Sequence, residues 1–73
     1  MFKVQDFANI FCVGKKTIER KIQQINPLFK NFDKKKRKHN YTFEEAKIVI
    51  NLIGIPPQND FNRQLVLNYP NLF

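Results

Sequence analysis

The side chains in this chain that could support chemistry are few, and most of them are positively charged. Cys12 is the only cysteine and His39 the only histidine. One copy of the chain therefore cannot form an internal disulfide or a zinc site of four Cys and His ligands. Neither residue has an identifiable base or orienting group near it in sequence, as covalent catalysis requires. We predict no enzymatic activity, no metal site and no cofactor, with Cys12 in a turn and His39 in a strand.

The chemistry that the composition does favour is the binding of polyanions. Thirteen Lys and Arg residues against six Asp and Glu give a formal net charge of +7 in 73 residues. Residues 1–32 and residues 33–42 each carry +4, whereas residues 43–73 carry −1. Because an excess of this size is typical of proteins that bind nucleic acid, we expect a basic surface formed by the first 42 residues.

Two groups of side chains carry this expectation. The first group is basic or polar and lies opposite the apolar positions of a predicted helix: Lys15, Lys16, Thr17, Glu19, Arg20 and Gln23. Arg20 is our candidate for guanine, because a guanidinium matches the paired acceptors of that base. The second group is an unbroken basic run, which could follow phosphates or enter a minor groove: Lys34, Lys35, Lys36, Arg37 and Lys38. The alternatives are that the helix residues form a solvated charged face and that the basic run is a disordered polar loop.

Apolar spacing predicts the elements that position these groups. Residues 5–12 form a first amphipathic helix, and a turn of about three or four residues leads to a second helix capped by Gly14. The apolar positions of the second helix are Ile18, Ile22 and Ile25. Asn26 and Pro27 should end it, because the residue before a proline prefers extended geometry.

Aromatic segments flank the basic run on both sides. Residues 28–32 and 39–43 partly alternate apolar and polar side chains, so we predict a β-hairpin with the basic run at its tip. Its large aromatic side chains are Phe29, Phe32, Tyr41 and Phe43. We assign them to the core, and the alternative is that they stack on unpaired bases.

The rest of the chain predicts two more helices. Residues 42–45 match a capping box that opens the third helix, and Gly54 ends it. Residues 60–69 predict a short fourth helix with Phe61, Leu65 and Tyr69 on one face. The C-terminal tail, residues 58–73, either closes the core or joins copies as a homodimer or a cooperative array. We expect Leu72 and Phe73 at its end to be exposed.

This order of elements predicts a winged helix-turn-helix over residues 1–57, a mainly α fold with a small β-hairpin. Two segments resemble MerR-type regulators and excisionases: residues 7–18 (FANIFCVGKKTI) and residues 40–46 (NYTFEEA). Cys12 stands where that family has a turn glycine, and Gly14 where it has a serine cap. The resemblance spans about residues 4–55. It implies double-stranded DNA binding, with the second helix in the major groove and the hairpin wing on the backbone or minor groove.

We therefore expect a DNA-binding protein of a mobile element, either excisionase-like or a small transcriptional regulator, in the cytoplasm. No apolar stretch has the length of a signal peptide core or a transmembrane span. The alternative hypothesis is an interaction module that binds an acidic protein through the same basic surface. Binding to anionic membranes comes third, because the basic run does not adjoin an amphipathic helix with an exposed apolar face.

Overall fold

The computed structural model describes residues 1–29 and 40–73, and the regular structure in these residues is helical. It consists of α1 (Val4–Phe11), α2 (Lys15–Ile25), α3 (Phe43–Ile53) and α4 (Asp60–Asn68). A 3-10 turn, Asn26–Leu28, directly follows α2. All four α-helices lie within a residue or two of their predicted positions. The mainly helical part of the predicted fold is therefore confirmed.

The predicted β-hairpin is wrong, because residues 1–29 and 40–73 contain no β-strand. Leu28 belongs to the 3-10 turn, and Thr42 already caps α3. Tyr41 makes one isolated antiparallel bridge, but its partner is Phe2, with N···O distances of 2.8 and 2.9 Å. The described chain is thus all-helical rather than a winged helix-turn-helix. The predicted hairpin tip, residues 34–38, lies outside the described residues, as do Phe32 and His39.

The backbone of Asn26 explains why the chain does not leave α2 as a strand. The helix does end at Ile25, as predicted, but Asn26 keeps helical angles, with φ −50° and ψ −43°. Pro27 follows in the first turn of the 3-10 helix, where its fixed φ and missing N–H are tolerated. The expected extended geometry before the proline is therefore wrong. Leu28 is consequently part of a helical turn and cannot begin a β-strand.

The first three helices bury apolar side chains in one common core, and the face of α2 was the predicted one. α2 contributes Ile18, Ile22 and Ile25, all buried, and packs against both α1 and α3. α3 begins with the predicted capping box, in which Glu45 N donates to Thr42 Oγ1 at 3.2 Å and Thr42 N donates to Glu45 Oε1 at 3.0 Å. It ends at Gly54, whose φ of 136° favours glycine.

α4 forms where it was predicted, but it turns a different face to the core. Asn62 is the buried residue of α4 and Leu65 is half-buried, whereas Phe61 and Tyr69 are exposed. The reason is a polar contact, because Asn62 Nδ2 donates to the carbonyl of Ile10 in α1 at 2.9 Å. Leu72, predicted to be exposed, is completely buried in the core, whereas Phe73 is exposed as expected.

Tyr41 lies at the centre of the core and has no exposed surface. Its ring meets Phe7 of α1 edge to face at a centroid distance of 5.2 Å, and it also contacts Phe29 at 6.2 Å. Its hydroxyl donates to Asn26 Oδ1 at 2.9 Å. Tyr41 therefore joins α1, the end of α2 and the start of α3, and the core assignment of Phe29, Tyr41 and Phe43 is confirmed.

Burial raises the pKa of Tyr41 above its ordinary value of 10.0. The unfolded chain therefore loses this proton first, and we expect the free energy of unfolding to fall as the pH rises past 10.0. Below that pH, Tyr41→Phe should be less stable than the wild type by about 1–3 kcal/mol, because Asn26 Oδ1 loses its buried donor. The difference in the free energy of unfolding between wild type and variant should become smaller at higher pH, because phenylalanine has no hydroxyl to titrate. Urea denaturation from pH 7 to pH 11 measures the free energy of unfolding of both proteins. A difference that does not change with pH would contradict a raised pKa for Tyr41.

Candidate nucleic-acid interface

α1 and α2 are joined by a three-residue turn, formed by Cys12, Val13 and Gly14. Cys12 adopts the left-handed conformation, with φ 54° and ψ 42°, that ends many helices. Val13 N then donates to the carbonyl of Ala8 at 3.1 Å, which satisfies an acceptor at the end of α1. Gly14 is the N-cap of α2, as predicted. The turn thus sets the direction in which α2 leaves α1.

The outer face of α2 brings the predicted side chains together. Five of the six predicted residues on this helix are exposed: Lys15, Lys16, Thr17, Arg20 and Gln23. Glu19 is half-buried and stands at the edge of the face. The three isoleucines on the opposite side are buried, so this face points away from the core.

Gln24 also belongs to this face, although sequence reasoning did not select it. It is exposed and lies four residues after Arg20, so both side chains occupy the same side of α2. The helical period that identified the isoleucine face could have identified Gln24 as well. Lys21 is exposed too, and its position in the helix places it beside the buried face.

The start of α2 lacks the side chains that usually stabilise the N-terminus of a helix. Gly14 offers no capping side chain, and the first turn holds no acidic residue. Lys15 and Lys16 instead stand where the helix dipole is positive and where the first amides lack acceptors within the helix. In the part of the chain that the structure describes, no carboxylate forms an ion pair with Lys15, Lys16 or Arg20. A bound phosphate would neutralise this charge and accept from these amides.

Two asparagines of the C-terminal tail hold the turn in place. Asn59 caps α4 by accepting from Asn62 N at 2.8 Å, and its Nδ2 also contacts Cys12 Sγ at 2.8 Å. Asn62 Nδ2 donates to the carbonyls of Ile10 and Pro57. These contacts connect the start of α4 to the end of α1 and to the turn before α2. The orientation of the candidate interface therefore depends on α4.

The other predicted sites have different outcomes. The basic run from Lys34 to Lys38 and the single histidine lie outside the described residues, so their roles stay predictions. Cys12 is exposed in the turn where it was expected. Among residues 1–29 and 40–73, no three His, Cys, Asp or Glu side chains form a group that could hold a metal ion. No helix in these ranges has the length and apolar character to cross a membrane.

Neither family models, curated proteins nor solved structures match the chain. The resemblance to MerR-type regulators and excisionases therefore rests on residues 7–18 and 40–46 as printed in the sequence.

Lys16→Glu should stabilise the free protein by about 0.3–1 kcal/mol, because a carboxylate suits the positive end of the α2 dipole. Lys21→Glu is the matched control, since it makes the same charge change on the same helix away from that end. Urea denaturation at low salt measures both. Equal changes in stability would show that the start of α2 does not carry an unfavourable charge.

Two substitutions of Cys12 distinguish the effect of its backbone conformation on stability from the effect of its sulfur contact. Cys12→Gly and Cys12→Ala both remove the contact with Asn59, but only glycine adopts a positive φ without steric cost. We expect the glycine variant to be more stable than the alanine variant by about 1 kcal/mol. Thermal denaturation measures the difference. Equal stabilities would contradict a left-handed residue at this position.

Proposed function

We propose that this protein binds double-stranded DNA with α2 in the major groove. The observation that carries the proposal is the outer face of α2, whose exposed side chains are cationic or polar and face away from the isoleucine core. An α-helix fits the major groove, and helix-turn-helix proteins place their second helix there. The tight turn between α1 and α2 supports this use of α2.

The side chains along α2 suit two kinds of contact. Lys15 and Lys16 stand beside the free amides of the first turn, so we assign them to phosphates that fix the position of the helix. Arg20, Gln23 and Gln24 lie further along the exposed face, and we assign them to base edges. An arginine pairs with the O6 and N7 acceptors of guanine, and a glutamine pairs with N6 and N7 of adenine. In this proposal the start of α2 positions the protein and its middle selects the sequence.

The basic run of residues 34–38 adds five positive charges to the same protein. We propose that these charges contact phosphates and so increase affinity for any duplex, with Arg37 as the candidate for a minor groove. The resemblance to MerR-type regulators and excisionases supports a role in a mobile element, in excision or in transcriptional control. Such a role places the protein in the cytoplasm with the chromosome.

Selection of bound duplexes from a random pool, followed by fluorescence anisotropy, tests the proposal. We expect enrichment of a defined sequence and an affinity that falls steeply with salt, because lysine contacts displace counterions from DNA. Arg20→Ala should lower affinity for the selected duplex by about 1–3 kcal/mol and leave affinity for a shuffled duplex nearly unchanged. Lys16→Ala should weaken binding to both duplexes, and it should reduce the slope of log affinity against log salt concentration by about 1.

Arg63→Ala on α4 is the matched control for Arg20→Ala. Arg63 is exposed and pairs with Asp60 at 3.8 Å, and it lies outside the outer face of α2. Its removal should leave both affinities unchanged. If Arg20→Ala and Arg63→Ala lowered the affinity for the selected duplex equally, base contacts from α2 would be contradicted. If no duplex is retained at moderate salt while one acidic protein binds in a fixed ratio, the basic surface is a protein-binding site instead.

A further inference from the structure

α2 contains one acidic side chain, Glu19, and four basic ones, Lys15, Lys16, Arg20 and Lys21. Glu19 is half-buried and stands at the edge of the outer face. A carboxylate at this position repels phosphates, so it lowers the affinity of the helix for any polyanion. Its presence in a helix that we propose to enter DNA therefore needs a physical reason.

The folded protein without DNA does not supply that reason. Within residues 1–29 and 40–73, the carboxylate of Glu19 has no hydrogen bond or ion pair. Lys15 and Lys16 lie four and three residues before it, where an ion pair across one helical turn is possible but does not form. Glu19 also lies beyond the first turn of α2, where the positive end of the helix dipole has little effect. Its oxygens are therefore available to accept from a bound molecule.

The geometry of α2 relates Glu19 to the residues that we assign to base edges. Gln23 lies four residues after Glu19, so the two side chains share one side of the helix. Arg20 follows Glu19 with a rise of about 1.5 Å and a rotation of about 100°. Base pairs are about 3.4 Å apart, so neighbouring residues whose side chains diverge in this way meet neighbouring base pairs. Glu19 therefore lies opposite the base pair next to the one that Arg20 contacts.

The chemistry of the major groove restricts what a carboxylate can accept from there. Guanine presents the acceptors N7 and O6, and thymine presents the acceptor O4, so both repel a carboxylate. Adenine offers the donor N6 but places the acceptor N7 beside it. Cytosine presents only the donor N4. A cytosine is therefore the base that a carboxylate favours most.

We propose that Glu19 is a specificity-determining residue, which accepts from N4 of a cytosine on the base pair next to the guanine of Arg20. The same carboxylate disfavours duplexes that place an acceptor at this position. It thus lowers affinity for unrelated DNA more than affinity for the target, as discrimination against wrong partners requires. This inference rests on the proposed function, because it requires α2 to lie in the major groove.

Selection from a random duplex pool with the full-length wild type and with Glu19→Gln tests the proposal. The wild type should select a cytosine next to the guanine. Glu19→Gln should select adenine there instead, because a glutamine amide pairs with both N6 and N7. Fluorescence anisotropy should show that the variant prefers the wild-type target over a shuffled duplex about tenfold less than the wild type does. Circular dichroism checks that the variant is folded.

Glu44→Gln is the matched control, since it removes the same charge from an exposed residue of α3. It should raise the affinity for both duplexes by the same factor and leave their ratio unchanged, because it only reduces repulsion of phosphates.

Three results would count against the inference. If Glu19→Gln still selects cytosine, or if it raises both affinities equally as Glu44→Gln does, Glu19 does not read a base, although the proposed function stands. If the wild type selects no sequence at all, the inference and the proposed function are both overturned.

Discussion

The complete burial of Tyr41 is the constraint on which the rest of the structure depends. Its ring contacts Phe7 of α1, its hydroxyl holds Asn26 at the end of α2, and its backbone pairs with Phe2 just before α3 begins. A buried hydroxyl needs a hydrogen-bond partner, so Asn26 must remain beside it. These contacts fix α1, α2 and α3 relative to one another, and with them the direction in which the outer face of α2 points.

Local signals predicted the helices, whereas non-local contacts explain why the predictions of the hairpin and of the buried face of α4 were wrong. The apolar spacing of Ile18, Ile22 and Ile25 and the capping box of Thr42 with Glu45 act within a few residues, so the sequence alone was sufficient for α2 and α3. The hairpin failed because Tyr41 pairs with Phe2, which lies far away in the chain. The face of α4 failed because Asn62 binds the carbonyl of Ile10. The exposed residues of α2 could be predicted because they follow directly from the position of its isoleucine face, and the same helical period places Gln24 among them.

The molecule separates its charge from its exposed apolar surface. The excess of positive charge lies in the first 42 residues, including lysines at the start of α2, where they oppose the helix dipole. The exposed hydrophobic side chains lie mainly after residue 47. The positive charge and the exposed apolar side chains thus lie mainly in different parts of the sequence.

The burial of Leu72 has a consequence for how the chain acquires its structure during synthesis. This side chain is completely enclosed, although it follows α4 and lies seventy residues after Phe2, another member of the same core. The core is therefore incomplete in any nascent chain from which Leu72 has not yet emerged, and such a chain exposes apolar surface that can aggregate.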